Sequence, residues 1–366
     1  MFSLGALLFF IIPCYLLIWI LSGLTGLRKK RNHHPIQQNN ITLIIPFRDE
    51  ANQIPKLLDS LSKLNLLDGD EILLVDDYSS DGGITSDFNL RGELQILESP
   101  INQTGSKKNA LSIGIHHAKN EWILTSDADC TFDPEWINNW RKQLNCSVNM
   151  FIGPVFSDED KYSFAAHFHH AENVCLQVIA LTSAQHKQPL ICSGANLLFR
   201  KSIWELVGGY ESHFHIPSGD DVLLMQSFQE YAPTKVCAHF EKSNVVITQS
   251  VNNWKSWFLQ RRRWASKTGH LANKVQKLHA ALLLVWVFVF PIALWLLGPL
   301  YFFLLIPEML FIGFLSWKLN TKFKAWMWPI FRVFYPVLLI IMPLTSFIWP
   351  STWKKRSFQS SKTAIH

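Results

Sequence analysis

Cysteine pairs are missing from this sequence. None of its six cysteines stands in a Cys-x-x-Cys spacing, which excludes the common zinc and dithiol redox motifs. Those in the middle of the chain are scattered, which suits a reducing cytosol. His-Glu-x-x-His is absent too. The cluster His167-Phe168-His169-His170 is therefore read as a polar helix face or an interface in preference to a metal site. No basic stripe interleaved with aromatics runs through the polar part of the chain, so nucleic acid is not expected as a partner. Internal repeats and long low-complexity tracts are also absent. Charge is scarce: 17% of 366 residues are charged, against 48% hydrophobic. That is too apolar for an ordinary soluble domain.

The apolar excess lies at the two ends. Residues 4–27 form a nearly unbroken apolar run, long enough to span a bilayer. Its charges, Arg28-Lys29-Lys30-Arg31, follow the run, unlike those of a signal peptide. By the positive-inside rule the N-terminus faces outward and the middle domain is cytosolic. The expected division is a transmembrane helix at 1–27, a linker at 28–40 and an α/β domain at 41–250. An amphipathic interfacial segment at 251–277, membrane segments at 278–350 and a basic tail at 351–366 follow. Leu278 to Trp317, broken near Gly298-Pro299, reads as a hairpin of two spans. The run from Ile330 to Pro350 is a third span or a re-entrant segment, because three further spans would put the basic Lys354-Lys355-Arg356 outside.

The middle of the chain alternates strands and helices. Ile41–Pro46, Glu71–Val75, Leu94–Leu97 and Trp122–Leu124 read as strands, and leucines from Ile54 to Leu64 recur at helical spacing. Lys107 opens a helix, as does Phe164, running to about Ala184. Ser202 is expected to cap a short helix ending at Gly208-Gly209, Val236–Ile247 to hold one or two strands, and Val222–Glu230 and Trp254–Trp264 to be helical. This order implies a mostly parallel α/β sheet, whose ligands bind beyond the carboxyl ends of the strands.

Asp127-Ala128-Asp129 follows the fourth strand. Carboxylates two apart on an extended segment project from one side and repel unless a cation lies between them. Mg2+ or Mn2+ takes such oxygen ligands and bridges them to phosphates. Asp220-Asp221 precedes a helix, as a cap or as a general base. Gln260, Arg263 and Trp264 share one helical face. There Arg can pair with diphosphate and Trp can stack on a sugar, or the same helix can anchor at a membrane interface.

Asp76-Asp77, Asp127-x-Asp129, Asp220-Asp221 and Gln260-x-x-Arg263-Trp264 stand in an order that resembles the membrane-bound family-2 glycosyltransferases. That group includes the cellulose, chitin and hyaluronan synthases and the ceramide glucosyltransferases. Ile44–Glu50, Lys107-x-x-Ala110-Leu111 and Ser193–Asn196 are similar to that family as well. The resemblance implies a GT-A fold, Rossmann-like with a mostly parallel sheet, flanked by transmembrane helices. It also implies inverting transfer from a nucleotide-sugar donor, with UDP the expected nucleotide, to a glycan or lipid acceptor beside membrane lipid at the cytosolic face of the plasma membrane.

The resemblance likewise assigns the residues. Phe47, Arg48, Glu50, Asp77, Lys107 and Asp127 would contact the nucleotide, and Asp129 would hold Mg2+ or Mn2+. Asp221 would be the base, although the family's usual Glu-Asp is Asp220-Asp221 here. Gly194, Ala195, Asn196, Asp220, Gln260, Arg263 and Trp264 would line the acceptor and diphosphate side. A processive polysaccharide synthase and a single-transfer lipid glucosyltransferase both fit these motifs. A nucleotidyltransferase or a non-catalytic subunit fits fewer of them.

Overall fold

The structure is a computed structural model. It describes residues 39–82, 94–99, 106–144, 147–158, 163–214, 216, 218–251, 253–265, 274–298, 303, 305–322, 324–348, 351–353 and 356–358, with six residues between 15 and 23. The expected span at 4–27 and the basic cluster after it fall almost wholly outside these residues.

In chain order the elements begin with β1 (Ile41–Phe47), α1 (Ile54–Ser62), β2 (Glu71–Asp76), β3 (Leu94–Glu98), α2 (Lys107–His117) and β4 (Trp122–Thr125). Then come β5 (Cys130–Thr131), α3 (Trp136–Arg141), β6 (Met150–Ile152), β7 (Val155–Ser157) and the long α4 (Phe164–Gln185). The domain closes with β8 (Leu197–Arg200), α5 (Lys201–Leu206), α6 (Val222–Tyr231), β9 (Val236–Ala238) and β10 (Val246–Thr248). Four more helices follow: α7 (Trp254–Ala265), α8 (Lys274–Leu297), α9 (Ile306–Lys318) and α10 (Met327–Ile348). A short hairpin pairs β11 (Ser351–Trp353) with β12 (Arg356–Phe358).

Seven strands form one sheet in the order β3-β2-β1-β4-β8-β6-β9. β3, β2, β1 and β4 are parallel neighbours, β8 runs against both β4 and β6, and β9 is parallel to β6. The expected α/β class with a mostly parallel sheet is therefore present. A second, smaller sheet has the order β5-β10-β7. Its strands of two or three residues are too short for any periodic signal.

Side chains of β1 alternate between two cores, as the pleat requires. Ile41, Leu43, Ile45 and Phe47 pack with Ile54, Leu57, Leu58 and Leu61 of α1 and with Trp136 and Trp140 of α3. Ile44 points the other way, into the core that holds Ala110 and Leu111 of α2 and Phe168, Val174 and Val178 of α4. A buried ion pair pins the start of β1. Asp70 Oδ1 accepts from the Ile41 amide at 2.9 Å, and its Oδ2 accepts from Arg141 Nη2 at 2.5 Å.

Several local expectations change. Arg200, not Ser202, is the N-cap of α5; Ser202 lies within the helix and donates to Glu121. The Val236–Ile247 stretch makes two strands that belong to different sheets. The expected two-span hairpin breaks where foreseen, with Gly298 at φ 54° just after α8. Its second arm is not one long helix, however. α9 has 13 residues, roughly 20 Å at 1.5 Å per residue, against a hydrocarbon core of about 30 Å. Among the described residues no helix is long and apolar enough to cross a membrane.

Candidate active site

Two loops meet at the carboxyl edge of the parallel strands. The Asp77 amide donates to Phe47 O at 2.9 Å, and Arg48 Nη1 donates to Asp77 O at 2.6 Å. Asp49 Oδ1 accepts from the Ser80 amide at 2.7 Å, and Asp81 Oδ2 from the Ala51 amide at 2.8 Å. These cross-links hold Asp49 and Tyr78 at φ 47° and 60°, a left-handed conformation that non-glycine residues seldom adopt. Strain of that kind marks a loop shaped for something other than its own stability. Phe47, Arg48, Glu50 and Asp77 all line one cavity of about 320 Å3.

The next two strands of the sheet supply a pair of acids and a glycine turn. Asp127 and Asp129 follow β4, and Gly194 and Ala195 precede its antiparallel neighbour β8. Thr125 Oγ1 donates to Gly194 O at 2.7 Å, and Ser126 Oγ donates to Ala195 O at 2.9 Å. The glycine turn is thereby fastened beside the acids. A Cβ on Gly194 would stand 3.2 Å from Asp220 Oδ2 and 3.5 Å from Lys107 Nζ, so the glycine backbone lies close against this pair of charges.

Lys107, at the start of α2, is the hub. Its Nζ lies 2.6 Å from Asp127 Oδ1 and 2.9 Å from Asp220 Oδ2. Burial pulls its pKa down, but the charges and hydrogen bonds of Asp127 and Asp220 outweigh that and hold the ammonium well above the usual lysine range. Asp129 has no such counter-ion among the described residues. Burial and then the charge of Asp127 raise its carboxyl to about 6, although Thr248 Oγ1 donates to its Oδ2 at 3.0 Å. The neighbouring Lys108 is buried and donates to the carbonyls of His213, Ile216 and Ser218 at 2.6, 2.8 and 3.2 Å. It anchors the segment that leads to Asp220 and Asp221. Asp221 is the N-cap of α6 and accepts from the Val222 amide at 2.6 Å. Capping and cavity lining thus coincide in one residue.

From the other side, α7 brings Gln260, Arg263 and Trp264 to the same cavity. What seats α7 is a buried clamp that the motif reading does not contain. Glu172 on α4 accepts from Trp257 Nε1 at 2.8 Å and from Arg261 Nε at 2.7 Å, and pairs with Arg261 Nη2 as well. The Arg261 guanidinium then lies 4.1 Å over the Trp264 ring, a cation–π contact. Asn196 is the one expected acceptor residue that does not line the cavity. It is fully buried: Trp136 Nε1 and Trp140 Nε1 donate to its Oδ1 at 3.2 and 3.1 Å, while its Nδ2 donates to the carbonyls of Pro154 and Asn244. Its role is to tie α3 to the strand ends. Sequence reading misses three polar cavity residues on α4: His169, Asn173 and Gln177. Their spacing of four is the available signal. The histidine cluster lies on α4 but does not form one face: His169 lines the cavity, whereas His170 bonds Ser157 and the Lys322 carbonyl.

Among the described residues no group of three or more His, Cys, Asp or Glu side chains could by itself hold a metal ion. Asp127 and Asp129 still suit a divalent cation whose remaining ligands come from a bound phosphate. They do not lie on the expected extended segment: residues 128 and 129 form a turn closed by the Cys130 amide, which donates to Asp127 O at 3.2 Å. The Asp129 carboxyl, raised by burial and by the charge of Asp127, is a group whose ionised form such a cation would stabilise.

Residues 42–207 match the family model for glycosyl transferase family 2. A probable glycosyltransferase of Bacillus subtilis (strain 168), YdaM, is 26% identical over 247 residues, covering 64% of this chain and 56% of its own. An undecaprenyl-phosphate 4-deoxy-4-formamido-L-arabinose transferase of Enterobacter sp. (strain 638) is 33% identical over 103 residues, covering 27% and 32%. The chain thus spans about half or less of the length of these curated relatives. Among solved structures, the mannosyltransferase PcManGT of Pyrobaculum calidifontis, in complex with GDP-Man and Mn2+, is similar in fold. Its TM-score is 0.60 at 17% identity, over 94% of this chain and 97% of that one.

Proposed function

We propose, from the premise that residues 42–207 form a glycosyl transferase family 2 domain of α/β GT-A type, that the chain transfers a sugar from a nucleotide donor to an acceptor hydroxyl with inversion. The observation that carries this reading is the single cavity holding Asp77, Lys107, Asp127, Asp129 and Asp221 together. Arg48 and Asp77 stand at the nucleotide end. Asp127 and Asp129 would hold Mg2+ or Mn2+, which when bound supplies positive charge to a departing diphosphate. Lys107 adds a cation beside it.

The acceptor hydroxyl gives its proton to the Asp221 carboxylate, and its oxygen forms the new bond to the sugar's anomeric carbon. The bond from that carbon to the diphosphate breaks on the opposite face, which inverts the configuration. Trp264 and Arg263 close the acceptor side, and the side chain of Gln260 lies with them.

We assign the membrane to this reading as well, with the domain on the cytosolic side. Support comes from large apolar side chains that α8, α9 and α10 leave outside: Trp295, Leu310, Trp317 and Phe334 are 82, 70, 77 and 58% exposed. Surface of that kind needs lipid or a partner to cover it. The acceptor under this reading is a glycan or a lipid. UDP-sugars are the expected donors, and the GDP-Man held by the archaeal fold relative makes GDP-sugars the second set to test.

The test is single-turnover transfer from labelled UDP- and GDP-sugars with Mn2+ or Mg2+, using wild type and Asp221→Asn. Loss of the base should slow transfer by about 10²–10⁴-fold while donor binding persists. Equal rates for the two proteins would remove Asp221 from the mechanism. Pyrophosphate release in place of a nucleoside diphosphate would instead make the chain a nucleotidyltransferase.

A further inference from the structure

We propose that the α4 face bearing His169, Asn173 and Gln177 is an acceptor subsite for an uncharged, hydroxyl-bearing ring, with Asn173 as its specificity-determining residue. The proposal rests on the glycosyl-transfer reading above. The three residues stand four apart, so they share one side of the helix, and all three line the cavity. They are 2, 7 and 7% exposed.

Their polar atoms are only partly used by the protein. The Val155 amide donates to Gln177 Oε1 at 3.1 Å, leaving the Nε2 end of that amide as a donor. The Val251 amide donates to His169 Nδ1 at 3.4 Å. Burial, with Arg261 and then His170 adding to it, holds the pKa of His169 well below the usual histidine value. Because Nδ1 accepts from the Val251 amide, Nε2 is the ring nitrogen that carries a proton. Asn173 Oδ1 is buried and has no hydrogen-bond partner among the described residues. A buried carbonyl oxygen without a donor is costly to keep and calls for an explanation. A ligand hydroxyl that reaches the Asn173 amide from the cavity this residue lines would supply the missing donor.

The chemistry of the face selects its occupant. It offers hydrogen-bond donors on His169 and Gln177 and an acceptor on Asn173, and it carries no charge. Glu172, next in sequence to Asn173, is neutralised by Arg261 in the clamp. A phosphate would find no cation on this face, whereas a ring of hydroxyls finds both kinds of partner. Leu176 and Ala180, on the same side of the helix, line the cavity too and offer apolar surface to the C–H face of such a ring. α4 packs on β7, β9 and α7, while the nucleotide-side residues Arg48 and Asp77 stand at the ends of β1 and β2. The subsite therefore belongs to the acceptor and not to the nucleotide.

Asn173→Leu tests it in the full chain, solubilised in a polyoxyethylene detergent that carries no sugar. Binding of octyl β-glucoside, octyl β-galactoside and methyl β-glucoside is compared with binding of octyl phosphate, and Mn2+ with UDP or GDP is measured alongside. Glycosides should bind wild type and weaken about tenfold in Asn173→Leu, the loss expected for one buried hydrogen bond. Nucleotide binding should hold, and Tm should stay or rise, because the removed oxygen satisfied nothing in the protein. Equal binding of methyl and octyl glycosides supports the subsite with a free glycan as its source; binding of octyl glycosides alone supports it with a lipid-linked one. Preference for octyl phosphate, no glycoside binding, or a fall in Tm would each overturn the proposal. If neither nucleotide binds wild type, the donor reading fails, and the glycoside arm still decides the subsite.

Discussion

Two ionic clusters flank the cavity, and they are built for opposite purposes. Lys107 with Asp127 and Asp220 stands at the cavity wall, its side chains 24, 35 and 12% exposed. Glu172 with Arg261 lies inside the protein, at 2 and 5%. Water and ligands reach the first cluster, so its partners can exchange. The second is sealed, and its Nε–Oε2 and Nη2–Oε2 contacts are reinforced by the Trp257 indole. Similar charges thus serve once as exchangeable groups and once as a fixed joint between α4 and α7. Burial decides which, because it removes the solvent that would otherwise compensate a broken pair.

The largest test of this contrast is Glu172→Ala. It leaves the Arg261 guanidinium buried without its carboxylate, and removing one partner of such a pair costs about 3–5 kcal/mol. Urea denaturation should show that loss, together with weaker acceptor use as α7 loses its seat. Glu172→Gln keeps an acceptor for Trp257 and should lose less. If Glu172→Ala unfolds at the wild-type urea concentration, the clamp is not structural and the contrast fails.

Most of the main sheet is legible in the amino-acid sequence. The expected strands Ile41–Pro46, Glu71–Val75, Leu94–Leu97 and Trp122–Leu124 each end within one residue of β1 to β4, because continuous buried apolar runs bounded by turn residues have few other readings. The acids are legible for a related reason. Loops after parallel strands converge on one edge, so motifs far apart in sequence can be placed together. Asn196 is misplaced by its motif because its neighbours Gly194 and Ala195 do reach the cavity; only the two indoles that bond its side chain reveal that it turns inward. Glu172 is invisible as a site in the sequence, and Asn173 shows there only as one member of a spacing of four. Each is one polar residue in a long helix, and only packing shows that one meets Arg261 and the other the cavity.

Asp129 gives a test of intermediate size on the exchangeable side. Its carboxyl is raised from 3.8 to about 6 in the folded chain. Between those values the native state holds a proton that the unfolded state has released, so stability without metal falls as pH rises through this window. The slope is worth about 3 kcal/mol at most, at 1.36 kcal/mol per pH unit. Mn2+ must displace that proton, so its affinity should climb as pH approaches 6 and level off above it. Asp129→Asn should flatten both curves. Thermal melts from pH 4 to pH 8, with and without Mn2+, read the two effects together. A metal-free Tm that rises over pH 4 to 6 would contradict the raised carboxyl.

Lys107→Met yields the smallest effect and separates the clusters most sharply, because it should act in two directions at once. Its ammonium sits against Asp127, where a divalent cation would draw on the same oxygen. Without the ammonium, Mn2+ alone should bind severalfold more tightly. Nucleoside diphosphate with Mn2+ should bind about tenfold more weakly, the loss of one charge-assisted contact of about 1.4 kcal/mol. Fold stability should change by about 1 kcal/mol or less, since the group is partly solvated. Calorimetric titration of Mn2+ alone and then of UDP or GDP with Mn2+ resolves the signs. Two losses would mean that Lys107 organises the acids and does not compete for them. A large loss of stability would mean that this cluster, like the one at Glu172, is a fixed joint.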